Sequence, residues 1–320
     1  MLKTITNKLF YIIFMLLLIS LISFIAIHLA PSSFFGAGEL NPNMTKEAIA
    51  KLQHIYGLDK PLYMQYFDWV INIVRLDFGI SFVTGQDVSS EIFKRLPITL
   101  FINVITLVFV FLISLYLGIK SALFYEKKED YFIRQLSLVS FSMPSFYLAL
   151  MFIIFFSINL ELFPIAGVHS VEEKEGIENI LDMAWHLTLP ISVVIFGGLG
   201  SMIIYIRSLS LEILKSDYYY FALSRGIKKR VLLRFYILPN LLPPIITLLG
   251  LSLPGIIGGS VILESIFAID GMGQLFFMSA LSRDYPIIMG ILIITAFLTL
   301  LGNMVADLVL LKLNPYMKRG

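Results

Sequence analysis

Cysteine is absent from the 320 residues, which removes disulfide scaffolds, Cys-ligated zinc or iron–sulfur centres and thiol catalysis together. Charge is scarce too. Asp, Glu, Lys and Arg make up 14% of the chain, against about 25% in an ordinary soluble domain. No Gly-Lys dipeptide occurs, so the P-loop pattern Gly-x-x-x-x-Gly-Lys-Ser/Thr cannot form and nucleotide is not bound by that route. His-Glu-x-x-His is missing from a chain with only four histidines, and so is Gly-x-Ser-x-Gly; neither a metalloprotease helix nor a nucleophile elbow is available. A formal net charge of +2 gives no general grip on nucleic acid.

What is present is apolar surface: 58% of residues are hydrophobic and the mean hydropathy is +0.87. A membrane span needs about 20 mostly apolar residues to cross roughly 30 Å of hydrocarbon. Six stretches qualify: 9–30, 98–124, 135–159, 187–206, 241–263 and 286–311. The first outlasts the apolar core of a signal peptide and lacks an Ala-x-Ala cleavage site near Ala30, so it reads as a retained anchor. Pro144 in the third span, and Pro243, Pro244, Pro254 and Gly255 in the fifth, predict bends; broken backbone at membrane depth survives only inside protein or along a watery path. The expected architecture is an all-α integral membrane protein of about six helices. Residues 1–30 form an anchor, 31–97 an outer helical cap, and 98–320 a five-helix core with a loop at 207–240.

Basic residues orient the spans. With the N-terminus inside, inner segments hold Lys3, Lys8, Lys120, Lys127, Lys128, Arg134 and the cluster from Arg207 to Arg234, while acidic residues collect outside. Both termini are therefore expected in the cytoplasm. The spans hold almost no ionisable groups beyond His28 and Asp307, so a coupling-ion site for a secondary carrier is not evident. Either energy comes from another subunit or the protein is a passive channel.

In the outer segment, Ile49, Leu52 and Tyr56 follow Thr45 at helical spacing and Gly57 is placed to end that helix. Tyr63, Tyr66, Phe67, Val70 and Val74 form a second amphipathic pattern. A cap on the bundle and a docking surface for an external partner both fit. The acidic loop 161–186 contains His169 and His186, but without ligand spacing it reads as a solvated face, and no metal site is assigned.

The inner segment 207–240 is the most informative. Tyr218, Phe221, Ala222 and Arg225 recur at i, i+3, i+4 and i+7, giving one helical face with a basic edge. Gly226 sits where a left-handed C-cap ends a helix, and a second short helix over 228–238 is expected to stop at Pro239. Headgroup binding, topology bias and a docking knob for a cytoplasmic protein are the alternatives; small Ala222 and the tight glycine turn favour the knob.

This segment, Asp217-Tyr218-Tyr219-Tyr220-Phe221-Ala222-Leu223-Ser224-Arg225-Gly226, resembles the Glu-Ala-Ala loop of ABC importer permeases. Measured from Gly226, Leu238 and Pro239 fall where that pattern has Leu-Pro. Tyr220, Phe221 and Tyr236 depart from its Glu, first Ala and Ile. The peptide/nickel branch reads Asp-Tyr-x-x-x-Ala-x-x-Lys-Gly, which Asp217, Tyr218, Ala222 and Gly226 match, with Arg225 for the Lys. Similarity continues through Tyr56-Gly57-Leu58-Asp59-Lys60-Pro61, Asp77-Phe78-Gly79-x-Ser81, Arg95-Leu96-Pro97 and Pro144-Ser145-Phe146. It resumes at Glu264-Ser265-Ile266-Phe267, Gly271-Met272-Gly273 and Arg283-Asp284-Tyr285-Pro286.

The resemblance implies a type I importer permease in a bacterial cytoplasmic membrane, paired with a second homologous permease. Two cytoplasmic ATPase subunits would use ATP and Mg, an extracytoplasmic solute-binding protein would deliver solute, and this chain would bind no cofactor itself. It places ATPase coupling at Asp217, Tyr218, Phe221, Ala222, Arg225, Gly226, Leu238 and Pro239. The outer-face motif would be Glu264, Gly271, Gly273, Arg283, Asp284, Tyr285 and Pro286. For path lining the expectation is Pro254, Gly255, Gly258 and Gly259, with close helix packing an equal alternative. The implied solute is a di- or oligopeptide, or else nickel or a metal–chelator complex.

Overall fold

The computed structural model describes residues 2–29, 59–172, 174–252 and 259–313, and its long elements are helices. Among the described residues five helices are long and apolar enough to cross a membrane, and a helix pair bent by 104° passes the same test of length and composition only when its two halves are taken together, against the six spans the hydropathy predicts. The expected helix around Ile49, Leu52, Tyr56 and Gly57 lies outside the described residues. The chain divides into two compact units, one of residues 1–99, 257–261 and 270–304, the other of 100–256, 262–269 and 305–320.

In the first unit, α1 (Leu2–Leu29) is nearly uniformly apolar, while α2 (Leu62–Val74) is amphipathic as its tyrosine spacing predicts. Polar groups join the two. Ser20 Oγ and Tyr66 Oη lie 2.9 Å apart, and His28 Nε2 is 3.3 Å from Gln65 Oε1. Phe24 packs edge-on against Tyr66. The first turns of α3 (Val88–Leu123) bury Val88 and Ile92 completely. Gly290, in α12 (Tyr285–Leu313), lets that helix approach: a Cβ there would come within 2.8 Å of Val88 Cγ1.

In the second unit, α4 (Lys128–Ser142) and α5 (Ser145–Phe152, continued by a π-helical turn over Ile153–Asn159) form the bent pair, meeting at 104°. Pro144 explains the break. The residue before a proline is driven out of the α region, and Met143 has ψ 125°. Helix α6 (Gly176–Leu214) then packs along α4. A side chain at Gly200 would collide with the Ser137 carbonyl and Phe141 N, so only glycine allows the approach, and Ser140 Oγ donates to the Phe196 carbonyl beside it. At one end of this pair the buried Asp130 carboxylate accepts from Arg207 Nε (2.7 Å) and Nη2 (2.8 Å), from Ser121 Oγ (2.5 Å) and from Glu126 N (3.0 Å).

Three expectations need correction. Helix α6 starts well before Leu187 and runs past Ile206. Its early start is stabilised by Asp182, which accepts from Ser170 N and Oγ and from Lys174 Nζ at 2.5–2.7 Å. The hydrogen bond that Lys174 donates to Asp182 pushes its ammonium above the ordinary pKa. The segment after Gly226 is not a short helix stopped by Pro239. Helix α8 (Lys229–Leu232), a π-helical turn over Leu233–Ile237 and α9 (Leu238–Leu251) form one span, Lys229–Gly250. Pro239, the second residue of α9, directly follows the π-helical turn over Leu233–Ile237, whose widened hydrogen-bond register accommodates a residue without an N–H. Pro243 and Pro244 lie inside α9 without breaking it; Asn240 and Thr247 side chains donate to the Tyr236 and Pro243 carbonyls. Lastly, α9 ends at Leu251, short of the expected boundary at Leu263, and α10 (Val261–Ile266) begins beyond residues 253–258, which lie outside the described residues.

Candidate functional site

Helix α7 (Asp217–Ser224) is eight residues long, too short to hold itself in water. Tertiary packing supplies what local propensity cannot. Tyr219 and Ala222 are buried in a cluster with Ile206, Ile213, Leu232, Ile237 and Leu241, contributed by α6, α8 and α9. Burial pushes the Tyr219 phenol above its ordinary pKa, so this anchor stays uncharged at any physiological pH.

Both ends of α7 are closed locally. Asp217 stands in the first turn, where a carboxylate interacts favourably with the helix dipole. At the other end Gly226 N donates to Leu223 O (3.0 Å) and Ile227 N to Ala222 O (3.4 Å), the paired bonds of a Schellman cap. That cap requires a left-handed residue, and Gly226 has φ +73°. A Cβ at Gly226 would meet nothing within 4 Å. The turn is therefore demanded by backbone conformation, with open space beside it.

The predicted face of Tyr218, Phe221, Ala222 and Arg225 is split by the fold. Ala222 points into the chain, while Tyr218 and Phe221 are 44% and 59% exposed. Tyr220 and Leu223 join the exposed set, and the Arg225 guanidinium sits 4.2 Å from the Phe221 ring centroid. Ala222 thus serves close packing within this chain, and the outward surface is aromatic with a cationic edge. Leu238 is half-buried against the same cluster, and Pro239 is exposed.

The second motif is organised by ion pairs within the first unit. Helix α11 (Met272–Ser282) begins after Gly271, and Met272 N donates to Thr99 Oγ1 (2.9 Å). Gly273 is buried in its first turn, and Glu264 is buried in α10. Just before α11, Asp270 accepts from Arg95 Nε at 2.5 Å, and Arg95 also pairs with Glu91. Arg283, at φ 59°, closes α11. Asp284, 2% exposed, accepts from Ser81 Oγ (2.5 Å) and Phe82 N (3.1 Å). Tyr285 is buried and Pro286 follows it in the first turn of α12. Motif fragments far apart in sequence, Asp77–Ser81 with Arg283–Pro286 and Arg95–Pro97 with Asp270–Gly273, are thus partners in space.

Of the expected path residues, Pro254, Gly255 and Gly258 lie outside the described residues. Gly259 is half-buried with φ +67°. Sequence reading missed a cavity of about 530 Å³ in the second unit, between α3, α6 and α9, that exposes Asn103, Thr106, Ser201 and Tyr205 among apolar side chains. The available signal was a polar residue at i, i+3 in one helix and i, i+4 in another, inside otherwise apolar spans.

The chain is similar to known proteins throughout its length. Residues 114–319 match the model of the binding-protein-dependent transport system inner membrane component, and residues 1–103 match the N-terminal model of the same class of component. It is 35% identical to the oligopeptide transport system permease AppB of Bacillus subtilis, over 94% of each chain. It is 30% identical to the dipeptide transport system permease DppB of Lactococcus lactis, over 98% of this chain and 99% of that one. Identity to the metal-staphylopine import system permease CntB of Staphylococcus aureus is 31%, over 87% and 85%.

The hydrogen bonds that the buried Asp284 carboxylate accepts from Ser81 Oγ and Phe82 N make Asp284→Asn destabilising by about 1.5–3 kcal/mol, the size of a hydrogen bond to a charged group. Arg283→Gly, which relieves a positive φ, is expected to be neutral or stabilising by up to about 1 kcal/mol. Thermal unfolding of both variants in detergent checks the contrast; an Asp284→Asn midpoint equal to wild type would remove the pairing from the account.

Proposed function

The chain belongs to the family of binding-protein-dependent transport system inner membrane components, and on that premise we propose that it is the membrane-spanning subunit of an ATP-driven importer of di- or oligopeptides. The observation that carries the coupling reading is α7: an exposed aromatic and cationic surface on a short helix whose opposite side is embedded against α6 and the Lys229–Gly250 span. A push on Tyr218, Phe221 and Arg225 reaches α6, α8 and α9 through Tyr219 and Ala222, because a packed core transmits displacement instead of absorbing it. Asp217 and the Gly226 turn hold the helix ends, and Leu238 with Pro239 continues the linkage from α8 into α9.

With no P-loop pattern in the sequence, ATP and its Mg belong to two partner ATPase subunits, and Tyr218, Phe221 and Arg225 are the anchor and rim of their contact. A second homologous permease completes the path. Alternating access then shifts packed helices against each other, with Pro254, Gly255, Gly258 and Gly259 assigned to the lining. An extracytoplasmic binding protein docks over 41–97 and 270–286. Peptide as solute is supported by the relatives named for oligopeptide and dipeptide transport. The 31% identity to a metal-staphylopine permease favours a metal complex as the second reading.

Uptake in cells deleted for this gene separates the two solutes: loss of labelled di- or oligopeptide entry is expected, whereas loss of nickel entry alone would replace the substrate and keep the architecture. Gly226→Trp, which meets open space but strains a turn held at φ +73°, is expected to reach the membrane at wild-type amount, yet to abolish uptake and lower ATPase co-purification at least tenfold. Wild-type transport by that variant would detach the turn from coupling. The basic segments support cytoplasmic termini in a bacterial cytoplasmic membrane. In a chain without native cysteine, Lys228→Cys should resist an impermeant thiol reagent on intact cells while Glu172→Cys reacts; the reverse pattern inverts the topology.

A further inference from the structure

Beside the coupling helix, in the second unit, α4 and α6 enclose a groove of about 550 Å³ that the reading above does not use. We propose that this groove binds the phosphate of an anionic phospholipid, with its acyl chain lying along the apolar side of the same groove. The first support is charge. Arg134, Arg207 and Lys215 line the groove, and among the described residues the side chains of Arg134 and Lys215 make no ion pair or hydrogen bond. Arg207 is held rigidly by Asp130 through Nε and Nη2, which leaves Nη1 as a fixed donor. Against these three cations stand Asp130 and the groove's Glu126, leaving one surplus positive charge, the complement of a singly charged phosphodiester.

The second support is the direction of polarity. On α6 the groove residues are Ile204, Arg207, Leu211 and Lys215, spaced 3, 4 and 4, so they share one face over about 16 Å of helix. Ile204 is 40% exposed and Leu138, across the groove on α4, is 56% exposed. Apolar surface therefore leads from mid-helix toward the cations at the helix end, the order in which a phospholipid presents acyl chain and then phosphate. Free phosphate has no use for Leu138 and Ile204. Basic pockets between membrane helices are sites where anionic headgroups are held.

Native mass spectrometry of the purified full chain, with whatever subunits accompany it, tests the proposal against phosphatidylglycerol and phosphatidylcholine of matched acyl length. Preferential retention of phosphatidylglycerol is expected. Arg134→Gln with Lys215→Gln should lower that preference roughly 30-fold, and Arg134→Lys with Lys215→Arg should preserve it. Both positions are exposed, and an unchanged thermal midpoint verifies folding of each variant. Equal retention of both lipids by the wild type overturns the proposal, as does an undiminished preference in the Gln variant. Displacement of the lipid by millimolar inorganic phosphate would make this a free-anion site. Loss of co-purifying cytoplasmic subunits from the Gln variant with lipid retention unchanged would give the surface to a protein partner instead.

Discussion

Hydrocarbon offers no hydrogen bonds, so every peptide group at membrane depth must find its partner within the protein, and this constraint decides where the chain can depart from a helix. The breaks are few and each has a local answer. Between α4 and α5 the chain turns by 104° at Pro144. Inside the Lys229–Gly250 span a π-helical turn over Leu233–Ile237 absorbs the approach to Pro239, and Asn240 and Thr247 side chains turn back onto backbone carbonyls. Where helices come close, glycine replaces bulk, as at Gly200 against Ser137 and at Gly118 against Ile206.

The same economy governs charge. Asp130 with Arg207, Asp182 with Lys174 and Ser170, and Asp284 with Ser81 and Phe82 N are buried carboxylates that each accept at least two hydrogen bonds. Each sits at the end of a long helix or in the turn between two. A carboxylate left unpaired at such depth would cost several kcal/mol, so these pairs fix where one element ends and the next begins. They also leave Arg134, Lys215 and the cations around α7 on exposed surface.

The proposed coupling helix and the proposed lipid groove share one end of α6. Its last turns supply Ile213 to the cluster that seats α7 and Arg207, Leu211 and Lys215 to the lipid groove.

Hydropathy and spacing in the sequence determined the apolar helices, an amphipathic α2, a bend at Pro144, a short helix from Asp217 and a left-handed turn at Gly226. All are local: they depend on apolar period, on proline geometry and on the one residue that accepts a positive φ cheaply. Only the tertiary structure decided the rest. The inward turn of Ala222 comes from neighbours on α6, α8 and α9, which no periodicity within 217–225 can specify. Extension of α6 to Gly176 depends on Ser170 and Lys174 folding back to Asp182, and passage of the chain through Pro239 depends on a π-helical turn before it. The union of Ser81 with Asp284 joins positions 203 residues apart. Sequence pattern reports the conformation of a segment and the face it would bury; what that face meets is set by long-range packing, and there the physical choice between an inward and an outward residue is made.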